Sequence, residues 1–349
     1  MTEPAIGYIG LDHHHYRPYL DTIDRLPAEV TCLCEPDDSA EIDPPGDVPI
    51  YRNYRTMFDR EAIDIAWITA SNKRTPDVVS AAIDSDIDVY TEKPVARTAA
   101  DLEPLLETVD TSSVDVCVSY PWRSHPIALD LRTHVEDGFF GQPFGFNAQF
   151  VASKPEFRDT GHYLFDREES RGGIVQWLGV HWIDLVPWIL QDPIERVNAQ
   201  MSSHAPSLDI EDSATIMLET RSGASGSLEC GYYLRDGRYD TYLSAYGDEG
   251  HFCWDPTGTT FGFDDETTLV LESTTEDWNS APRRMTVYEY GPDRGYGGTW
   301  GLNFARQFLE ARNGTTSLPA TLKDAHQVLR VLDAIYESAE VNNWVEVES

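Results

Sequence analysis

A lysine set between a glutamate and a proline, Glu92-Lys93-Pro94, ends the apolar run Val89-Tyr90-Thr91, and it is one of only four lysines in the chain (Lys73, Lys93, Lys154, Lys323). An ammonium at a strand's carboxyl end, its direction fixed by a following proline, faces the crevice where α/β sheets bind ligands. There it can hydrogen-bond a reacting oxygen as negative charge develops. A second candidate is His181, in the run Gly172-Gly173-Ile174-Val175-Gln176-Trp177-Leu178-Gly179-Val180-His181-Trp182-Ile183-Asp184. An imidazole titrates near neutrality and can take a hydroxyl proton as general base. On a helix, Trp177 and His181 are one turn apart on one face, with Asp184 three residues further. The indole is therefore expected beside the imidazole, either as a stacking platform for a ligand or as a core side chain packed with Val180 and Ile183. Asp184 reads as a helix-orienting partner at the edge of the substrate, and Arg123 and Tyr163 as binders of substrate hydroxyls.

A second group of residues has the pattern of a nucleotide site. The first apolar run leads into Gly7-Tyr8-Ile9-Gly10-Leu11-Asp12-His13-His14-His15. A dinucleotide fingerprint places glycine at positions 10 and 12 and glycine or alanine at 15, for a tight turn, close approach of pyrophosphate and close helix packing. Only Gly10 fits. Asp12 falls where phosphate approaches, and a helix N-cap role is equally open to it. Glu35 ends the run Val30 to Cys34, 25 residues beyond Gly10, where a carboxylate can accept hydrogen bonds from a ribose 2'-hydroxyl. Pro36, Asp37 and Asp38 follow, with no arginine or lysine to meet a 2'-phosphate, so NAD is favoured over NADP. Adjacent residues at a helix start point about 100° apart, whereas metal ligands sit at i and i+3 or i+4. The triple histidine is accordingly read without a metal, His14 and His15 being polar groups around the cofactor phosphates. Thr69, at a strand end, and Glu92, Lys93 and Pro94 complete the expected cofactor set.

These residues need elements to hold them. Ile6 to Ile9, Val30 to Cys34, Ile63 to Thr69, Ile87 to Thr91 and Val114 to Val118 read as strands. Tyr16 to Leu26, Arg74 to Ile83 and Ala99 to Val109 read as helices between them. Strand, helix, strand in this order implies a doubly wound parallel sheet. From Phe144 the texture changes to strands in succession: Phe144 to Val151, Val197 to Met201, Ala214 to Glu219, Ser225 to Tyr233, Thr241 to Tyr246, His251 to Asp255 and Thr268 to Glu272. Helical segments fall at Gly173 to Leu190, Trp300 to Arg312 and Leu322 to Ser338. The expected fold is α/β for residues 1–120 and, for 121–349, α+β with a large open, mostly antiparallel sheet, the last helices able to pack back on the first domain. The run Asp255-Pro256-Thr257-Gly258 reads as a loop.

Composition narrows the partners. The 349 residues carry 26 Lys plus Arg against 60 Asp plus Glu, a formal charge of -34. Binding to a phosphate backbone, which depends on cations displacing counterions, is not expected. The N-terminus has no positive n-region, and no run of about 18 apolar residues occurs, so a soluble, cytoplasmic protein without a membrane partner is expected. Cys32, Cys34, Cys117, Cys230 and Cys253 have neither disulfide-framework nor zinc-site spacing and read as reduced thiols. Nine Trp, seventeen Tyr and thirteen Phe reject disorder. Abundant acid with almost no lysine resembles proteins of salt-loving microbes, in which molar salt screens the self-repulsion.

Taken in order, Glu92-Lys93-Pro94, Tyr120-Pro121-Trp122-Arg123, Gly138-Phe139-Phe140-Gly141-Gln142-Pro143, the Gly172 to Asp184 run, Ile210-Glu211-Asp212, Gly247-Asp248-Glu249-Gly250 and the terminal pattern Phe304 to Phe308 with Leu329 to Ser338 resemble the glucose-fructose oxidoreductase, inositol dehydrogenase and MocA family over nearly the whole chain. The resemblance implies an N-terminal NAD(P)-binding Rossmann domain, a C-terminal domain whose open sheet serves oligomerisation, a homodimer or homotetramer, and hydride exchange with a sugar, polyol or derivative. It also implies a catalytic set of Lys in Glu-Lys-Pro with Asp and His in Asp-x-Gly-x-His. Lys93 and His181 match, and Trp177 stands at the Asp position, where it could stack on a sugar. The expected chemistry is oxidation of a secondary alcohol. Redox-cycling glycoside cleavage with tightly held NAD, or a non-enzymatic NAD or sugar sensor, are the alternatives.

Overall fold

The structure is a computed structural model that describes residues 3–36, 44, 46–206, 208–256, 266–289 and 293–348. In chain order the first elements are β1 (Ala5–Ile9), α1 (Tyr16–Ile23), β2 (Glu29–Cys34), β3 (Ile50–Tyr51), α2 (Tyr54–Arg60), β4 (Ile65–Ile68), α3 (Thr75–Asp84), β5 (Asp88–Thr91), α4 (Ala99–Thr111) and β6 (Val116–Val118). There follow α5 (Pro126–Glu136), β7 (Pro143–Ser153), α6 (Arg167–Ser170), a π-helical segment Val175–Gly179, and α7 (Val180–Leu190). Then come β8 (Ile194–Ser202), β9 (Ser213–Thr220), β10 (Ser225–Leu234), β11 (Tyr239–Gly247), β12 (Gly250–Asp255), β13 (Glu266–Ser273) and β14 (Arg283–Glu289). The chain closes with α8 (Gly298–Arg312), α9 (Leu322–Val341) and β15 (Val345–Glu346).

Contacts divide the chain into two units, one of residues 1–121 with 293–329 and the other of 122–292 with 330–349. In the first, the strand order is β3-β2-β1-β4-β5-β6, with every pairing parallel. Parallel strands covered on both faces read as unbroken apolar runs, and Ile65-Ala66-Trp67-Ile68 is buried at all its positions. The order reverses at β1, so the carboxyl ends of β1 and β4 flank the switch point where such sheets bind ligands. Thr98 and Asp101 form a reciprocal capping box that starts α4 and satisfies two otherwise orphaned donors.

The second unit holds a sheet of order β14-β13-β12-β11-β7-β10-β9-β8-β15. It is antiparallel except for β7 beside β10. Alternation decides its two faces: on β9, Ala214, Ile216 and Leu218 point inward and are buried, while Met217 points outward and is 51% exposed. Tyr233 and Tyr246 are exposed on β10 and β11. α7 is the apolar helix of this unit, and the longer stretch Arg167–Leu190 is apolar and long enough to pass for a membrane span. It is instead a core segment, with 89% of its most apolar window buried inside the protein.

Several elements went unforeseen for physical reasons. β14 is exposed at almost every position, so it has no inward face for alternation to reveal. α5 starts after a His125 cap, a residue outside the preferred capping set. β3 is a two-residue edge strand, too short to leave a pattern. The expected helix Gly173 to Leu190 is interrupted at its start by the π-helical segment. Of the loop expected after β12, residues 257 and 258 lie outside the described residues, as do Asp37 and Asp38.

Candidate active site

In the first unit the expected cofactor residues gather at the carboxyl ends of β1, β2, β4 and β5. Gly10 has φ +91°, and a Cβ there would lie 2.6 Å from the Thr69 carbonyl carbon and 2.7 Å from Ala70 N. Only glycine fits this turn. Thr69 closes it by donating its hydroxyl to the Gly10 carbonyl, while Thr69 N donates to Ile9 O at 2.8 Å. Glu35 is 3% exposed, and its Oε2 accepts from Leu11 N at 2.6 Å and Asp12 N at 3.2 Å. The acid at the end of β2 thus binds the loop that follows β1.

Asp12 does not cap α1. Its side chain is exposed, and the cap position is His15, which makes no side-chain cap bond. The three histidines precede the helix in a turn, so the helical argument about their directions does not apply to them. Their rings lie on one another, with centroids 4.4 Å apart for His13 and His14 and 3.9 Å for His14 and His15. His13 Nδ1 accepts from His15 N at 2.9 Å, which puts the proton of the neutral His13 ring on Nε2 and makes that nitrogen a donor. Tyr16 N is taken by His13 O. The amides of His15 and Tyr16 are therefore bonded within this turn, and the imidazoles lie around them.

His15 also reaches the Glu-Lys-Pro turn. Its Nδ1 lies 3.3 Å from Glu92 Oε2, and Tyr19, one turn along α1, donates its hydroxyl to the same oxygen. Glu92 Oε1 lies 3.8 Å from Lys93 Nζ. Ser119 Oγ is 2.9 Å from Tyr19 Oη and 3.1 Å from Tyr90 Oη. All of these side chains are buried. Burial pushes the Glu92 carboxyl up, against the Lys93 charge, and pushes the Lys93 ammonium down, against Glu92. Burial also pushes the Tyr19 phenol well up, so it remains a donor. The Tyr296 ring, 4.0 Å from that of His15, closes this cluster. Tyr19 and Tyr296 were not foreseen, because Tyr19 lies 73 positions from Glu92 and Tyr296 meets His15 from far along the sequence.

In the second unit, His181 and Trp177 are both buried, at 4% and 6% exposure. Trp177 lies within the π-helical segment, whose bonds run i→i+5, so the α-helical phase that set it over His181 does not hold there. Its Nε1 donates to Leu164 O at 3.0 Å, and the Tyr163 ring stands edge-on at 6.2 Å. π-bulges of this kind are frequent at functional sites. His181 stacks on Phe150 with centroids 5.8 Å apart and lies 6.2 Å from Trp122. Trp122 also contacts Trp182, Trp254 and His125, and burial pushes the His125 imidazole down to about 3.

Arg123 and Asp184, expected as substrate contacts, meet each other. Arg123 Nε lies 3.1 Å from each Asp184 oxygen, with Nη2 also donating. Both residues are buried, at 7% and 2% exposure, and the pair fastens the turn before α5 to α7. Glu211, also unforeseen as a working residue, anchors the start of the π-helical segment. Its Oε1 accepts from Val175 N at 3.1 Å and from the Tyr336 hydroxyl at 2.9 Å, and its carbonyl accepts from Ile174 N. A Cβ on Gly173 would sit 1.9 Å from that carbonyl oxygen, so the glycine is required by close approach.

Two family domains match this chain in sequence: the oxidoreductase family's NAD-binding Rossmann fold over residues 5–120 and the GFO/IDH/MocA C-terminal domain over 128–253. The chain belongs to the GFO/IDH/MocA oxidoreductase family. It is 26% identical to D-apiose dehydrogenase of Paraburkholderia graminis over 70% of this chain and 64% of that protein. It is 22% identical to levoglucosan dehydrogenase of Pseudarthrobacter phenanthrenivorans over 84% of this chain and 83% of the relative. A solved structure of levoglucosan dehydrogenase in complex with NADH superposes with a TM-score of 0.81 at 20% identity, covering 99% of this chain and all of the other, which establishes the shared fold.

The GFO/IDH/MocA residues of the first unit fit the family's nucleotide. Gly10 lets the turn after β1 lie against the Thr69–Ala70 backbone, where a Cβ would clash, and Glu35 holds a buried carboxylate at the end of β2. The glycine-poor remainder of the loop is occupied by the three histidines, the ring of His13 and that of His15 buried and that of His14 exposed.

Proposed function

We propose that this GFO/IDH/MocA member is an NAD-dependent dehydrogenase acting on a secondary hydroxyl of a sugar, polyol or derivative. The observation that carries the reading is the buried Lys93 beside Glu92 at the carboxyl end of β5, in a chain of this family. NAD, when bound, supplies the hydride acceptor. Glu35 accepts from the ribose diol, Gly10 and Thr69 shape the floor beneath the nucleotide, and the exposed His14 faces its phosphates, His15 being turned to Glu92. Lys93 donates a hydrogen bond to the substrate oxygen as negative charge grows on it, and its lowered proton affinity strengthens that bond. His181 takes the hydroxyl proton. Names of the relatives, D-apiose and levoglucosan dehydrogenase, support a carbohydrate substrate, and a panel of sugars and polyols with NAD, read as NADH absorbance, tests it.

Cofactor choice has its own test. A carboxylate at position 35 repels a 2'-phosphate, so NAD is expected to bind at least tenfold more tightly than NADP, about 1.4 kcal/mol. Fluorescence titration of both nucleotides checks this, and equal affinities remove Glu35 from the site.

The outward face of the second unit's sheet, with Met217 and Tyr246 exposed on it, supports a homo-oligomer that uses this face, most simply a twofold dimer. Light scattering at micromolar protein is expected to give at least twice the chain mass. A monomer under conditions where the protein is folded overturns the assignment.

A further inference from the structure

Where β7 and β10 finish side by side, the second unit carries an open cavity of about 630 Å³ lined by Lys154, Glu156, Arg158, His204, Asp212 and Tyr232, among others. Arg158 is held in place along one edge of its guanidinium. Nε donates to Ser153 O at 3.0 Å, and Nη2 donates to Ser153 Oγ at 3.2 Å and lies 3.4 Å from Tyr239 Oη. The guanidinium carbon stands 4.9 Å from the Tyr232 ring centroid and 5.8 Å from that of Tyr239. These contacts fix the plane and leave Nη1 without a hydrogen bond among the described residues. A preorganised guanidinium edge is a carboxylate receptor at small entropic cost.

The charges around it decide the ligand. Lys154 makes no ion pair among the described residues and lines the same cavity. Asp212 is internally satisfied: its oxygens accept from His204 N at 2.8 Å and Ala205 N at 2.7 Å and face His204 Nδ1 at 3.0 Å. Glu156 is exposed at the rim, an acceptor for hydroxyl groups. Two cations, an acceptor and the Tyr232 face together suit a molecule with one carboxylate and several hydroxyls. A relay of packed rings links its arginine to the proposed base: Tyr239 stands 5.8 Å from the Arg158 guanidinium carbon and 6.2 Å from Phe150, and Phe150 stands 5.8 Å from His181.

We propose that this cavity receives the carboxylate end of a hydroxylated acid, so that the substrate of the dehydrogenase proposed above is a sugar acid. Calorimetric titration of the full chain with D-glucuronate and with D-glucose, at the salt concentration that keeps it folded, tests the binding without turnover. D-glucuronate is expected to bind about tenfold or more tightly than D-glucose. That preference is expected to vanish in Arg158→Gln and to shrink severalfold in Lys154→Gln. The Lys154 side chain is exposed, so its variant carries the test if Arg158→Gln fails to fold. Equal affinity for the two sugars, or a preference unchanged in the folded variants, overturns the site. Arg158-dependent binding of D-glucuronate without any NADH production leaves the cavity standing and overturns the dehydrogenase reading. NADH production from neutral sugars with no binding of D-glucuronate does the reverse.

Discussion

Lys93→Ala and His181→Ala are each expected to lower turnover by about a hundredfold or more, the scale of lost acid-base help, with NAD affinity nearly unchanged. Steady-state kinetics on whichever sugar the panel identifies, with a nucleotide titration beside them, measures both quantities. The two variants differ in a side effect that follows from their surroundings. Removing Lys93 takes the cation from beside Glu92, whose carboxyl burial already pushes up, and leaves that acid to be protonated. Lys93→Met therefore belongs beside Lys93→Ala as a variant that keeps the bulk. Removing His181 takes away an aromatic neighbour of Phe150 and Trp122, so its melting temperature must be read alongside its rate. Turnover retained within a few-fold in either folded variant overturns the assigned role.

Trp177 separates the dehydrogenase from the sensor. Its burial and its bond to Leu164 O match a core tryptophan, and truncation of such a residue costs about 3 to 5 kcal/mol of stability. A stacking platform behaves otherwise: its loss raises KM and spares kcat. Trp177→Ala is therefore expected to destabilise the fold more than it weakens substrate binding. Trp177→Asp restores the acid of the family motif. If oxidation of sugars appears only in that variant and the natural chain is inert across the panel, the sensor reading replaces the dehydrogenase.

The parallel sheet was legible because its strands are short apolar runs separated by helical periodicity, and the two family lysine and histidine positions stand in runs of recognisable residues. What the residues do to one another was less legible. Arg123 and Asp184 are 61 positions apart, and nothing in either neighbourhood announces that each satisfies the other. Glu35 was read for a ribose contact, yet its anchoring bonds are to Leu11 N and Asp12 N, made possible by the parallel register that sets Ile9 opposite Cys34. The π-helical segment defeated a phase argument that assumed 3.6 residues per turn. His15 was assigned to the phosphates from its place at a helix start, whereas its Nδ1 faces Glu92, 77 positions away. Local pattern reports elements. Which polar groups are spent on each other is settled by tertiary packing.

The other large expected effect is on folding itself. With 60 acids against 26 basic residues, the folded chain gathers a formal charge of -34 into a small volume, and its stability depends on how far each charge feels the others. At 0.1 M ionic strength the Debye length is about 10 Å, and at 1 M it is about 3 Å, so repulsion between exposed carboxylates reaches much less far in molar salt. The protein is expected to melt cooperatively in molar KCl and to lose its cooperative transition on transfer to about 0.1 M, followed by circular dichroism. Screening is not the sole way in which salt stabilises, since excluded ions such as sulfate strengthen apolar burial as well. The two are distinguished by sucrose, an uncharged excluded solute that leaves the Debye length alone. If self-repulsion is the cause, sucrose at 0.1 M KCl restores little of the transition, whereas full recovery in sucrose places the effect in burial. Buried pairs such as Arg123 with Asp184 are screened far less than surface charges, so the second unit's anchor for α7 is expected to outlast the surface charge balance as salt is withdrawn. A melting curve unchanged between 0.1 and about 2 M KCl removes the salt requirement altogether.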